Sequence, residues 1–143
     1  MNRETVIGRL KEYGLGITQP RIEILSYLME NHVHPTVDVI YESLLENNPG
    51  LSRTTVYNTV QLLTKCGALR TLCIDESHVN IDENTMPHAH LLCRECGRII
   101  DLPLKGISVE KASHPFTMDG NMIEEVHQYY RGLCQECRNK QNK

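Results

Sequence analysis

Six cysteines and seven histidines are the residues in this 143-residue chain most able to do chemistry. Four of the thiols form two Cys-x-x-Cys pairs, Cys93 with Cys96 and Cys134 with Cys137, with residues 97–133 between them. Each pair can present two sulfurs from one tight turn, and two pairs can close a tetrahedral thiolate shell around zinc. One pair alone could equally be a dithiol redox motif. Two pairs, in a chain whose first residues (Met-Asn-Arg-Glu-Thr) hold no apolar export segment, point to a structural zinc in a reduced, cytoplasmic setting. Such a metal also supplies folding free energy to a small domain. Cys66 and Cys73 stand alone and read as small buried hydrophobes.

A second constellation precedes Cys93. His88-Ala89-His90 reads as strand, where residues i and i+2 point to one side, so both imidazoles can face one cation. Asp82 upstream and Asp101 downstream add carboxylates. Imidazole with carboxylate suits Fe(II), Mn(II) or zinc, whereas thiolates select zinc or Cu(I). The plainer alternative is a pair of surface histidines on an edge strand with solvated aspartates. His32, His78 and His114 read as surface residues.

These groups need elements to hold them. Residues 1–77 read as short amphipathic helices, while His, Cys and Pro crowd into residues 78–143. A first helix over Asn2 to Tyr13 places Val6, Ile7 and Leu10 on one face and ends at Gly14 and Gly16. Thr18 caps a second helix, with Pro20 in its first turn and Ile22, Leu25, Leu28 and Met29 as its buried stripe. Thr36 caps a third, with Val37, Ile40, Tyr41 and Leu44 facing inward, which stops at Asn47-Asn48-Pro49-Gly50. Ser52 caps a fourth carrying Val56, Val60 and Leu63, closed by Gly67. Leu69 to Ile74 and Val79-Asn80-Ile81, joined by a polar turn, read as a β-hairpin. Helices followed by a hairpin is the order of a winged helix-turn-helix. The core must be aliphatic, since the chain has no Trp and one Phe.

The fourth helix is then the reading helix, with Arg53, Thr54 and Thr55 suited to phosphates and Tyr57 and Asn58 to base edges. The alternative is a polar, solvated helix face. Charge does not decide: the chain carries 15 basic and 18 acidic side chains, a net charge of −3, so any DNA contact rests on local charge. A symmetric dimer would double each local contact.

Ile17-Thr18-Gln19-Pro20-Arg21, His34-Pro35-Thr36, Ile40-Tyr41, Thr55-Val56-Tyr57, His88-Ala89-His90, Cys93-x-x-Cys96-Gly97 and Cys134-x-x-Cys137 together resemble the ferric uptake regulator (Fur) family of metal-dependent bacterial repressors. The resemblance covers nearly the whole chain. It implies an α+β protein: a winged helix-turn-helix domain (residues 1–80), a hinge near residues 78–84, and a small α/β dimerisation domain (residues 81–143) with a structural zinc. It also implies a regulatory Fe(II) or Mn(II) held by His34, Asp82, His88, His90 and Asp101. Asp101 stands where iron-sensing members usually carry Glu, and Asn58 where they usually carry Arg, so the chain looks most like the peroxide-sensing PerR branch. It departs from the family in the order Thr18-Gln19-Pro20-Arg21, in Asn80-Ile81 before Asp82, and in Val126, with His127 one residue off, at a position where iron-sensing members often place a histidine.

The function expected is a homodimeric repressor on palindromic operator DNA, released when peroxide oxidises His34 or His88 beside ferrous iron. An iron-responsive or zinc-uptake regulator is the runner-up, and a non-catalytic metal buffer or zinc-ribbon module the alternative of another class. A zinc ribbon needs no capped Ser52-to-Tyr57 helix and no His34-Pro35-Thr36, so residues 1–77 discriminate. No nucleophile–base pair suggests an enzyme or a small-molecule substrate, and no apolar run is long enough to span a membrane.

Overall fold

Side-chain oxygens start every helix of the first half of the chain. Asn2 begins α1 (Arg3–Glu12), Thr18 begins α2 (Gln19–Glu30), Thr36 begins α3 (Val37–Leu45) and Ser52 begins α4 (Arg53–Lys65), each accepting from a backbone N–H in the first turn. Gly14 and Gly67 leave α1 and α4 at φ 69° and 90°, a left-handed exit that suits glycine. A hairpin follows, β1 (Arg70–Leu72) antiparallel to β2 (Asn80–Asp82), with Arg70 opposite Asp82 and Leu72 opposite Asn80. The computed structural model describes residues 2–141.

The four helices and the hairpin enclose one aliphatic core. Val6, Leu10, Ile22, Leu25, Leu28, Ile40, Val56, Val60 and Leu63 are buried in it, as the helical spacing predicts, together with Ile81 of β2. In α2 two positions differ from expectation. Ile24 is fully buried and Met29 only half, because α2 packs against α1, α3 and α4 at once and buries more than one stripe. In α3 only Ile40 is fully buried; Val37, Tyr41 and Leu44 lie half-buried around it. Cys66 is half-buried at the end of α4, its thiol donating to the Leu63 carbonyl at 3.3 Å. Cys73 is exposed rather than buried: Leu72 and Ile74 point inward, so alternation turns the residue between them outward.

This first unit runs to Thr85 and a second begins at Met86. The expected boundary after residue 80 falls inside β2, and much of the expected hinge is that strand. Ile81 holds it there, buried in the core and donating its N–H to the Pro35 carbonyl at 2.8 Å.

The second unit contains β3 (Ala89–Cys93), β4 (Ile99–Leu102), α5 (Val109–Ala112), β5 (Phe116–Met118), β6 (Asn121–Ile123), β7 (Gln128–Gly132) and α6 (Gln135–Gln141). Strand β3 is central, antiparallel to β4 and parallel to β7, while β5 and β6 form a separate hairpin. The buried cluster here is Cys93, Cys134 and Cys137, with Ile100 and Leu133 packed against it. No helix among the described residues is long and apolar enough to cross a membrane.

Candidate metal centres and nucleic-acid interface

Parallel pairing of β3 with β7 sets Cys93 opposite Gly132, which brings the start of α6 beside the turn after β3. Cys93 ends β3, Cys96 lies in the turn that Gly97 closes at φ 77°, Cys134 precedes α6 and Cys137 lies within it. The four sulfurs lie within 4.8 Å of one another, and none of these cysteines forms a disulfide. Cys93, Cys134 and Cys137 are buried and Cys96 is exposed.

The backbone prepares two of these sulfurs to be thiolates. The Cys134 N–H donates to Cys93 Sγ at 3.4 Å, and the Cys137 N–H to Cys134 Sγ at 3.4 Å. Backbone N–H groups of Cys96 and Cys134 lower the Cys93 pKa to about 6. Cys134 is lowered by the Cys137 N–H and then by Arg98, which lies beyond any reading of the cysteine spacing. Its Nη2 donates to Cys134 Sγ at 3.5 Å and to Glu136 Oε2 at 3.3 Å. Only its place two residues after Cys96 could have drawn notice. Cys137 is pushed up to about 12, first by its hydrogen bond with Cys134 and then by burial. Two sulfurs poised as thiolates beside a thiol, in a cluster that forms the buried centre of its unit, fit the donor set of a tetrahedral zinc.

The second unit also carries an imidazole–carboxylate group. His90 and Asp101 are opposite one another across β3 and β4, and His88 lies just before β3. His88 Nε2 and His90 Nε2 stand 3.2 and 3.3 Å from the same oxygen, Asp101 Oδ1, and the two rings are 4.3 Å apart. His88 Nδ1 lies 2.6 Å from the Met86 carbonyl. A carbonyl only accepts, so Nδ1 donates there, and Nε2 is the ring nitrogen turned toward Asp101 that would meet a cation. The two imidazoles thus face the same carboxylate, His90 from within β3 and His88 from just before it.

The first unit carries the remaining two residues of the set. His34 Nδ1 is 3.7 Å from Asp82 Oδ1, and both side chains are almost fully buried, at 4% and 2% exposure. His34 has φ 52°, a left-handed backbone that a non-glycine residue rarely adopts. Asn80 holds it there, donating from Nδ2 to the His34 carbonyl at 2.8 Å. Asp82 Oδ1 accepts the Asn84 N–H at 2.9 Å. Buried imidazole and carboxylate with locked backbones suit a cation of the Fe(II), Mn(II) or zinc type.

The other histidines lie elsewhere. His32 pairs with Glu83 at 2.5 Å, His78 with Asp75 at 3.4 Å and His127 with Glu125 at 3.2 Å, and His114 is exposed.

On α4, Thr54, Tyr57 and Asn58 are exposed, with Tyr57 bordering a groove of about 690 Å³ between the helix and the β1–β2 hairpin. Two expected phosphate ligands are already engaged. Arg53 pairs with Asp38 and lies 4.6 Å from the Tyr41 ring centre. Thr55 is half-buried, its N–H and hydroxyl both on Ser52 Oγ at 3.1 and 2.8 Å.

Four helices and a hairpin, with a polar helix face, followed by a small mixed sheet cornered by four cysteines, define a winged-helix protein with a thiolate-rich α/β unit. The chain belongs to the ferric uptake regulator family, whose profile matches residues 12–128. It is 33% identical over 138 residues to the "Peroxide-responsive repressor PerR" of Staphylococcus aureus, a match spanning 96% of this chain and 92% of that one. The structure of PerR from Streptococcus pyogenes is 29% identical, covers 94% of this chain and 92% of that one, and has a TM-score of 0.50. The ferric uptake regulator of Francisella tularensis, solved with iron, is 25% identical over 90% of this chain and 98% of that one, with a TM-score of 0.69.

Proposed function

We propose that this protein is a metal-dependent, DNA-binding transcriptional repressor that responds to peroxide. The observation that carries the reading is the convergence of His88 Nε2 and His90 Nε2 on one oxygen of Asp101. Nitrogen and oxygen donors of this kind, kept apart from the thiolates, suit a redox-active or exchangeable ion. The 33% identity to a peroxide-responsive repressor supports the same reading.

Cys93, Cys96, Cys134 and Cys137 would hold a structural zinc. His34, Asp82, His88, His90 and Asp101 would supply the ligands of a regulatory Fe(II) or Mn(II). When bound, ferrous iron supplies the electron that reduces hydrogen peroxide. His34 and His88 are the proposed targets: one oxygen of hydrogen peroxide would be inserted at an imidazole C–H while the other leaves as water, a two-electron oxidation that weakens a ligand, so metal affinity would fall and repression lift. Tyr57 and Asn58 would read base edges, with Arg53, Thr54 and Thr55 on phosphates, Arg53 exchanging Asp38 for DNA. Exposed Val109, Met118, Met122 and Tyr130 offer the second unit apolar surface for pairing with a second copy, and a dimer would match a palindromic operator.

The test is operator selection from random duplexes, followed by binding of the Fe(II) and Mn(II) forms before and after peroxide. Release of the Fe(II) form alone is expected. Release of either form only by chelation would replace peroxide with metal level as the signal.

A further inference from the structure

Among the described residues, Arg98 is a cationic side chain that lies on the four-cysteine cluster. Arg98 follows the Cys96-Gly97 turn, and its Nη2 reaches Cys134 Sγ at 3.5 Å while also donating to Glu136 Oε2 at 3.3 Å. Cys134 is buried, and its sulfur accepts from both Arg98 and the Cys137 N–H. Four thiolates around a divalent zinc leave a net charge of minus two, which a buried cluster must offset with donors and cations. Backbone N–H groups supply dipoles but no charge. Glu136 sits in the first turn of α6 and accepts from the same Nη2.

We infer that Arg98 is the positioning residue of the four-cysteine metal site, holding Cys134 as a metal-bound thiolate and offsetting the charge of the tetrathiolate. This rests on the reading of Cys93, Cys96, Cys134 and Cys137 as zinc ligands. A guanidinium suits the task because it stays charged at any working pH and its Nη2 can donate to sulfur and carboxylate together. Outer partners of this kind commonly change metal retention about 10- to 100-fold when removed. Glu136 has the opposite leverage: it competes with the sulfur for the same Nη2, so its loss leaves Arg98 more available to Cys134.

The experiment uses the full-length protein loaded with zinc and measures transfer of the metal to the chromogenic chelator 4-(2-pyridylazo)resorcinol. Arg98→Ala is expected to release zinc about tenfold faster than the parent. Arg98→Lys should recover most of the loss, and Glu136→Gln should release no faster than the parent. Cobalt(II) substitution gives a readout that a merely structural role would not move. Sulfur-to-cobalt charge-transfer bands should shift to lower energy in Arg98→Ala, because a sulfur without its cation gives up charge more easily, and return in Arg98→Lys. If Arg98→Ala does not fold, Arg98→Gln, a neutral donor, takes its place in both measurements. Unchanged release and an unchanged cobalt spectrum in the substituted protein would overturn the role of Arg98 while leaving the four-cysteine site standing. A parent protein whose cobalt spectrum lacks tetrathiolate bands would instead overturn the site itself.

Discussion

His34 shows how one residue can hold a strained backbone for chemistry. Left-handed φ at a non-glycine residue costs of order 1–3 kcal/mol and persists only where neighbours over-determine it. Asn80 is that neighbour, through its 2.8 Å bond to the His34 carbonyl. Asn80→Ala is therefore expected to leave the helices folded yet weaken Mn(II) binding at the proposed regulatory site about tenfold or more; unchanged affinity by titration would count against it. The cysteines make a pH prediction. In the metal-free protein Cys93 is depressed to about 6, so its thiolate contributes stability above the ordinary thiol range that is lost as pH falls through about 6. Cys137, raised to about 12, contributes in the opposite sense: its thiol form stabilises below the ordinary range, and the effect is lost as pH climbs toward 12. Zinc needs all four sulfurs ionised. Binding near neutral pH should thus release fewer than four protons, because Cys93 has already lost its own, and more when the pH drops below about 6. Calorimetry in buffers of different ionisation heat gives the count; four protons at neutral pH would contradict the assignment of Cys93.

At the scale of elements, legibility followed the range of the interactions. Thr18, Thr36 and Ser52 could be read as caps because each accepts from a backbone N–H three residues on, a bond the local sequence specifies by itself. Val56, Val60 and Leu63 could be read as one face of α4 for the same reason, since their spacing carries the information. Ile24 could not, because its burial depends on three helices meeting around α2. Nor could the parallel pairing of β3 with β7, which joins Ala89 to Gln128 across the chain and brings the two cysteine pairs together. The pairs announced a metal site by spacing, whereas Arg98 on Cys134 depended on that unread pairing. The cap on α4 carries a prediction. Ser52→Ala removes the acceptor for the Thr55 N–H and its hydroxyl together, and should cost about 1 kcal/mol of stability by thermal or denaturant unfolding. Asn58→Ala, exposed on the same helix, should leave stability alone and relax the proposed base preference by about 1–3 kcal/mol, read as the affinity ratio of operator to scrambled duplex. A variant that kept its preference would remove Asn58 from base reading.

For the whole molecule, the question is how an ion can govern DNA binding. His34 and Asp82 belong to the first unit, which carries α4, and His88, His90 and Asp101 to the second, which carries the cysteine cluster. If all five serve one ion, that ion links two units that otherwise fold around separate cores. Linkage acts only through differential affinity: shifting an equilibrium from 1:99 to 99:1 takes about 5.5 kcal/mol in favour of one state. It also has a thermodynamic signature. An ion at about 100 times its dissociation constant stabilises whatever binds it by about 2.7 kcal/mol. With zinc in place and no regulatory metal, the two units should melt independently. Mn(II) should raise the melting temperature of both, because loss of either unit's ligands dissolves the site. His90→Ala supplies the decisive arm. It alters only the second unit, yet it should abolish the Mn(II)-induced rise in the first unit's transition, followed by helix circular dichroism. A first unit still stabilised by Mn(II) in that variant would mean that His34 and Asp82 bind metal on their own, and the ion would not join the halves.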